Sequence, residues 1–221
     1  SSAQNPSHTY TNVGTYIPSL QVRDSVRNLI ATKTGSPIVV TQGAIPPQTV
    51  TIQPAASGDD GREDGSQTVV ISGASVSLTS ALHLGGLRFP NVTVPAGATI
   101  TAAKLQFFVV TNDSPGGLAI KAQTNVNAAA ITTAAGNISA RSLGPNSIVW
   151  SDTAIGLNAW KDSPDITAIV RDVFNRPDWV SGKTVFLVLD AASTTSFAFR
   201  TFDHSDGTLA PKLVITYTPA S

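Results

Sequence analysis

The sequence predicts an all-β protein: a β-sandwich or jelly roll with one short amphipathic helix, preceded by a partial β-domain. About ten short runs alternate between apolar and polar residues, and turn-rich segments such as NDSPGG and DHSDGTLAP separate them. A single stretch has the apolar period of a helix. Many short strands with so little helix are typical of sandwiches and jelly rolls.

The chain divides into two predicted domains. Residues 1–42 contain the partial β-domain, and residues 55–221 contain the larger sandwich. Between them lies QGAIPPQT, whose two adjacent prolines stiffen the backbone and are typical of a linker. We therefore expect a linker over residues 43–54.

The first domain shows its clearest pattern between residues 13 and 24. Tyr16, Leu20 and Val22 fall on one face of a predicted strand, with polar residues on the other face. Pro18 lies on the apolar face and cannot donate a ladder hydrogen bond, which indicates an edge strand or a bulge. Two further strands are predicted over residues 29–33 and 36–41.

The helix is predicted in SPDITAIVRDVFNRPDW. Ser163 is the expected N-cap, Pro164 the first helical residue, and Asp165 suits the positive end of the helix. The helix is expected to end before Pro177 and to span about twelve residues, too few to be stable alone. Its apolar stripe, which should pack on the sandwich, consists of Ile166, Ile169, Val170, Val173 and Phe174.

The composition narrows the function classes. The chain of 221 residues has no Cys, which excludes disulfides and thiol chemistry, and its 14 basic residues balance 14 acidic ones. Zero net charge disfavours nucleic acids and anionic membranes as partners, and it favours self-association. No apolar run is long enough for a transmembrane helix, so no membrane insertion is expected. Because the chain starts at Ser1 and has no Met, we expect a product processed after secretion.

The first domain resembles part of a known extracellular repeat. NPSHTYTNVGTYIPSLQVRDS with TKTGSPIVV is similar to the carboxy-terminal half of a polycystic-kidney-disease-type (PKD-type) repeat, over residues 5–41 or so. The resemblance implies an Ig-like β-domain that lacks its first strands. The matching positions are Pro6, His8, Tyr10, Gly14, Thr15, Tyr16 and Asp24.

The second domain resembles the DNRLRE-type jelly-roll modules of bacterial secreted and surface proteins, over residues 55–219 or so. The segments that carry this resemblance are SGDDGRED, GLRFPNVTVPAGATITAAKLQF, SPDITAIVRDVFNRPDWVSG and FRTFDHSDGTLAPKLVITY. Such modules are typically non-catalytic stalk or surface pieces, and some are associated with polysaccharide. The resemblance implies an extracellular or cell-surface location.

A calcium site is one interpretation of the acidic residues. In SGDDGREDG, glycines interleave Asp59, Asp60, Glu63 and Asp64, and a glycine-rich loop can turn several oxygens towards Ca²⁺. The FDHSDG segment adds two candidates, Asp203 and Asp206, if it lies at the same end. The alternative is a solvated acidic turn with Arg62 as its counter-ion.

Aromatic residues provide the candidate glycan site. Of the three Trp residues, Trp160 in GLNAW is the one expected to be exposed for stacking on a sugar ring, although packing remains the alternative for each. No Gly-x-Ser-x-Gly elbow and no metal-spaced His cluster is present, so we expect no enzyme activity.

Three hypotheses about the function remain open. In the first, the chain is a non-catalytic structural subunit that forms a fibre or surface layer, because a half domain leaves strand edges that a neighbouring copy can complete. Its assembly residues would be Tyr10, Tyr16, Leu20 and Val22. In the second, the chain is an adhesive or carbohydrate-binding module excised from a larger secreted protein, with or without calcium as a stabilising ion. In the third, which the missing catalytic motifs disfavour, it is a fragment of a hydrolase.

Overall fold

A computed structural model describes residues 7–24, 26–27, 29–110 and 114–220. It confirms the all-β sandwich with one short helix, and it divides the chain into two compact units, Ser1–Ile45 and Pro46–Ser221. Pro6, the first position of the PKD-like motif, lies outside the described residues. Among the described residues, no helix is both long and apolar enough to cross a membrane.

The described residues of the small unit form four strands that pair two by two. All are antiparallel: β1 pairs with β4, and β2 pairs with β3. The alternating stretch from residue 13 to 24 is not one strand, because it is interrupted at Ile17 and Pro18. The strands are β1 (Gly14–Tyr16), β2 (Ser19–Asp24), β3 (Leu29–Thr34) and β4 (Ile38–Val40).

The described residues of the larger unit form two six-stranded sheets. The first sheet has the order β5-β16-β10-β15-β8, with β13 also paired to β10, and the second has the order β12-β11-β14-β9-β6-β7. The strands are β5 (Gln48–Ile52), β6 (Asp60–Glu63), β7 (Val69–Val70), β8 (Ser75–Leu78), β9 (Leu84–Val92), β10 (Thr99–Val109), β11 (Leu118–Ala122), β12 (Ile148–Trp150), β13 (Ala159–Asp162), β14 (Lys183–Asp190), β15 (Phe197–Arg200) and β16 (Lys212–Thr218).

The predicted linker contains the first strand of the larger unit. Residues 43–54 include β5, which pairs with β16 from Gln48↔Tyr217 to Ile52↔Leu213. The alternating sequence QTVTI therefore joins the sheet, and the two prolines lie just before it.

The main core fills the space between the two sheets. Alternate residues of each long strand point inward and are buried, as Leu105, Phe107 and Val109 of β10 show. Phe107 contacts the rings of Trp150, Phe197 and Phe199, with centroid distances from 4.9 to 5.8 Å. This aromatic cluster gives the core much of its buried apolar area.

A second, smaller core covers the outside of the second sheet. Phe186 and Val188 of β14 point away from the main core, yet they are buried under a long excursion of the chain, residues 126–143. Ile131 and Ile138 of this excursion pack on them. Arg141 holds the excursion in place. Its guanidinium lies 3.8 Å from the centroid of the Phe186 ring and donates hydrogen bonds to the carbonyl oxygens of residues 129, 130 and 137.

Helix α1 (Thr167–Phe174) buries the predicted apolar stripe but begins later than predicted. Ser163 does not cap it, because the Ser163 hydroxyl accepts a hydrogen bond from the amide of Leu105 in β10 (2.9 Å). Instead, the Asp165 carboxylate accepts from the amide of Thr167 (2.8 Å). The predictions of a Ser163 cap and a helix of about twelve residues are therefore wrong: the sheet uses the serine, and the helix has eight residues.

Candidate functional site

The acidic segment is not the open loop that its glycines suggested. Ser57–Asp59 form one 3₁₀ turn, and the next four residues are β6, paired with both β7 and β9. The glycines permit close packing: a Cβ on Gly58 would lie 2.9 Å from the Ile131 carbonyl oxygen, and one on Gly61 would lie 2.7 Å from that of Val70. The segment is therefore a buried structural element of the second sheet.

Asp59 forms a buried ion pair. Its side chain is 2% exposed, and its Oδ1 lies 2.5 Å from a guanidinium nitrogen of Arg88 on β9. Its Oδ2 accepts hydrogen bonds from the amides of Ala55 and Ala56. Arg88 also donates through Nε to the Ala128 carbonyl (2.9 Å), so the pair connects the 3₁₀ turn to the excursion.

Glu63, on β6, binds the excursion through its carboxylate. It is 2% exposed, and its Oε2 accepts hydrogen bonds from the amides of Ile138 (2.7 Å) and Ser139 (2.9 Å). The neighbouring Asp64 accepts from the amides of Ser66 and Thr68, which shapes the turn after β6. Both carboxylates are thus committed to backbone amides.

The start of β6 brings three of the six predicted carboxylates together. Asp60 is 1% exposed, and its Oδ2 accepts a hydrogen bond from the amide of Phe202 (2.8 Å). Burial raises the pKa of Asp60 to about 7; the charges of Asp203 and Asp59 also raise it, whereas the Phe202 hydrogen bond lowers it. Asp203 accepts from the Ser57 hydroxyl (2.7 Å).

The remaining candidate, Asp206, is used within its own turn. It lies 3.1 Å from His204 Nδ1 and accepts from the amide of Thr208, and these hydrogen bonds hold its pKa below the ordinary value. Within the described residues, no group of three or more Asp, Glu or His side chains is arranged to hold a metal ion. Calcium binding stays a prediction.

Trp160 lies on the outer face of the first sheet and is partly exposed. It pairs in register with Phe108, and the two rings meet edge to face with centroids 5.8 Å apart. The ammonium of Lys212 lies 3.9 Å from the Trp160 ring centroid. The other two tryptophans, Trp150 and Trp179, are buried in the core. Of the three, only Trp160 offers ring surface at the outside of the sandwich.

Polar side chains continue this outer face. Lys104 and Asp162 form an ion pair at 2.5 Å, and Gln106 donates to the second oxygen of the same carboxylate (2.8 Å). Gln106 is flanked in the sheet by Asp162 of β13 and Lys212 of β16. The outer face of the first sheet therefore combines two aromatic rings with hydrogen-bonding groups. Among the described residues, no long segment covers this face in the way that the excursion covers the second sheet.

The four predicted assembly residues differ in exposure. Tyr10 and Tyr16 stack at 4.4 Å between centroids and are partly buried, with the Tyr16 hydroxyl donating to the Asn12 carbonyl. Leu20 and Val22 are 51% and 59% exposed on β2. The tyrosines thus pack within the small unit, and the two aliphatic residues face solvent.

The remaining described histidines and Asp190 also lie in local contacts. His83 Nδ1 accepts from the amide of Thr79, and Asp190 pairs with Lys121 at 3.2 Å. The third described histidine, His8, contacts the edge of Tyr10. Sequence reasoning missed the roles of Arg88 and Arg141, because each depends on carbonyl oxygens brought to it by the excursion.

Comparison with known proteins adds little. No protein family and no curated protein matches the chain. Solved structures of infectious bursal disease virus are distant neighbours. The T13 viral particle has 10% identity and a TM-score of 0.25, and the match covers 83% of this chain and 38% of that chain. The Gx strain has 11% identity and a TM-score of 0.23, and the match covers 99% of this chain and 59% of that chain. The chain spans less than two thirds of the length of these neighbours, and scores this low carry no argument about function.

Proposed function

We propose that this chain is a non-catalytic, extracellular structural β-module that assembles with further copies of itself through its small unit. The observation that carries the proposal is the exposure of apolar side chains there. Of thirteen large hydrophobic residues exposed in the described chain, eight lie in the small unit: Val13, Ile17, Leu20, Val22, Val26, Ile30, Ile38 and Val39. This unit is about a fifth of the chain, so the exposure is strongly concentrated.

The strand pairing explains why these apolar side chains are not buried in a core. Isolated two-stranded sheets are at best marginally stable in water, and the described residues of the small unit form two of them. All six residues of β2 are exposed. Adding strands would pair the open edges and bury the apolar residues, which is the mode of recognition called β-augmentation.

Charge supports a second copy as the source of those contacts. The small unit has three basic residues (Arg23, Arg27 and Lys33) against one acidic residue, Asp24, whereas the larger unit has 11 basic against 13 acidic residues. The formal charges are therefore +2 and −2. Contact between the small unit of one copy and the larger unit of the next is electrostatically favourable and head-to-tail, a geometry that propagates into a fibre or layer.

Paired variants test this proposal. Leu20→Asn with Val22→Asn replaces the apolar side of β2 by uncharged polar side chains, and the control, Ser19→Asn with Gln21→Asn, changes the polar positions of the same strand. Both variants leave the formal charge of the small unit at +2. We expect the first variant to remain monomeric and the control to assemble, as measured by light scattering. Equal assembly of both variants would contradict the proposal.

A second candidate function, glycan binding, is favoured by the partly exposed Trp160 on the outer face of the first sheet. Trp160→Ala is expected to weaken retention on the polysaccharide that the module binds while the thermal midpoint changes little, because the ring lies outside the main core. Affinity electrophoresis in gels containing different polysaccharides measures this. Identical mobility of both proteins in every gel would remove this candidate.

A further inference from the structure

Strand β5 forms an open edge of the first sheet. Within the described residues it pairs with β16 and with no other strand. Its five residues, QTVTI, include no charged residue and no Pro, which are the residues that commonly protect a sheet edge from further pairing. An edge of this kind can accept an added strand through its free backbone groups.

The other sheet edges of the larger unit are shorter or protected. Among the described strands, β7 has two residues and β12 has three. The edge of β8 is capped by Arg62, whose guanidinium donates to the Ser77 carbonyl (3.2 Å). The edge strand β13 carries two charged residues, Lys161 and Asp162. In the described part of this unit, β5 is therefore the longest unprotected edge.

The hydrogen bonds of the neighbouring strands show which backbone groups of β5 face the open edge. On the side of β10 away from β16, the Leu105 amide donates to the Ser163 hydroxyl and the Leu105 carbonyl accepts from the Ser163 amide. The residue opposite Leu105 in β16 therefore forms its backbone hydrogen bonds with β5, where it lies opposite Ile52. Because backbone groups alternate sides along a strand, Thr49 and Thr51 each direct an N–H and a C=O towards the open edge.

The side chains of β5 divide between the two faces of the sheet. Val50 and Ile52 are partly buried and pack against the main core. Thr49 and Thr51 are exposed on the outer face, where the Thr49 hydroxyl lies 3.0 Å from that of Thr216. An added strand with apolar side chains on the inner face would extend the core and bury Val50 and Ile52 further.

Strand β2 of the small unit has the complementary pattern. Beside the first residue of β2, the Gly35 amide donates to the Pro18 carbonyl (2.8 Å). Backbone groups alternate from there, so those of Ser19 and Gln21 point away from β3. The apolar residues that alternate with them are exposed. On β2, as on β5, the residues that present backbone groups to the edge are polar, and the residues next to them are apolar.

We propose that β2 of one copy adds antiparallel to the edge of β5 in the next copy, an inference that rests on the proposed function. The opposite formal charges of the two units, +2 and −2, favour the larger unit of a second copy as the partner of β2. The contact is head-to-tail, so each added copy presents a further β5 edge.

One register matches polar with polar and apolar with apolar residues. Its three central pairs are Gln21↔Thr51, Leu20↔Ile52 and Val22↔Val50. The polar pair exchanges two backbone hydrogen bonds, and the two apolar pairs extend the main core. Parallel addition does not achieve this match, because it sets Gln21 opposite an apolar residue of β5 and turns the glutamine towards the core.

Cysteine cross-linking between copies tests this contact, because the chain has no Cys. Two single variants of the full chain, Gln21→Cys and Thr51→Cys, are mixed at equal concentration; both positions are exposed. A disulfide forms only where the two Cα atoms come within about 7 Å, so a link between the variants reports the contact of β2 with β5 in neighbouring copies. Mass spectrometry of the linked peptides after mild oxidation measures the yield, and light scattering of the same mixture measures assembly.

The matched control mixes Gln21→Cys with Val149→Cys, an exposed position on β12 at the edge of the second sheet. We expect the link from position 21 to position 51 to exceed the link to position 149 by about tenfold. Assembly with equal yields of the two links would overturn this inference and leave the proposed function standing. Mixtures that stay monomeric by light scattering would overturn the proposed function, and the contact of β2 with β5 together with it.

Discussion

Replacing Glu63 by Ala is expected to lower the free energy of unfolding by about 4 kcal/mol, because two amides of the excursion lose a shared carboxylate acceptor. The amide of Ile138 is buried and that of Ser139 is partly buried. Each unpaired buried donor costs about 1–3 kcal/mol. Glu63→Gln keeps an acceptor oxygen but loses the charge, so its expected cost is about 1–2 kcal/mol.

Equilibrium unfolding in urea at pH 7, followed by tryptophan fluorescence, measures both variants, since Trp150 and Trp179 are buried. The measurement is repeated with EDTA to test the alternative prediction that Glu63 binds calcium. A calcium ligand would make the wild-type protein lose stability in EDTA, and Glu63→Ala would abolish that loss. The structural account is refuted if Glu63→Ala unfolds within about 1 kcal/mol of wild type, the magnitude of a single ordinary hydrogen bond.

Three further changes probe the same sandwich. Arg141→Lys should lower the free energy of unfolding by about 2 kcal/mol and make the excursion more sensitive to protease, because the planar guanidinium no longer lies over the ring in the second core. The control, Arg176→Lys in an exposed ion pair, should change the free energy of unfolding by less than about 1 kcal/mol. Ser163→Ala should cost about 1–3 kcal/mol in urea unfolding, since it leaves the Leu105 amide without its acceptor. Asp60→Asn should raise the thermal midpoint at pH 8 but not at pH 4, because burial raises the pKa of Asp60 to about 7 and makes its ionised form unfavourable in the folded protein. Equal effects at both pH values would contradict the raised pKa.

The sequence predicted the strands whose apolar residues alternate. Lys212–Thr218 and Ser75–Leu78 follow the pleat with a period of two, so a local pattern is enough to find them. It did not predict β6, since Asp60, Arg62 and Glu63 read as a solvated turn. Their burial depends on partners that are distant in sequence: Phe202 for Asp60, and Ile138 for Glu63.

In the helix and the candidate site too, some features follow from local sequence pattern and others depend on tertiary contacts. The buried stripe of α1 was predictable from its period, but its first residue was not, because Ser163 hydrogen-bonds to the sheet instead. The partial exposure of Trp160 follows from its polar context in sequence, whereas the position of Lys212 over its ring depends on strand register. Local patterns therefore identified which segments matter, and tertiary contacts decided what each acidic side chain does.

The central claim, self-assembly through the small unit, is tested most directly by the native mass of the full chain compared with residues 43–221, which retain all strands of the larger unit. Multi-angle light scattering at low and high salt, followed by negative-stain imaging, gives both masses and the particle shape. The account predicts large or elongated particles of the full chain that shrink at high salt, and a folded monomer of the shorter one. A full chain that stays a 22.8 kDa monomer at every concentration, or a shorter chain that still polymerises, would contradict it.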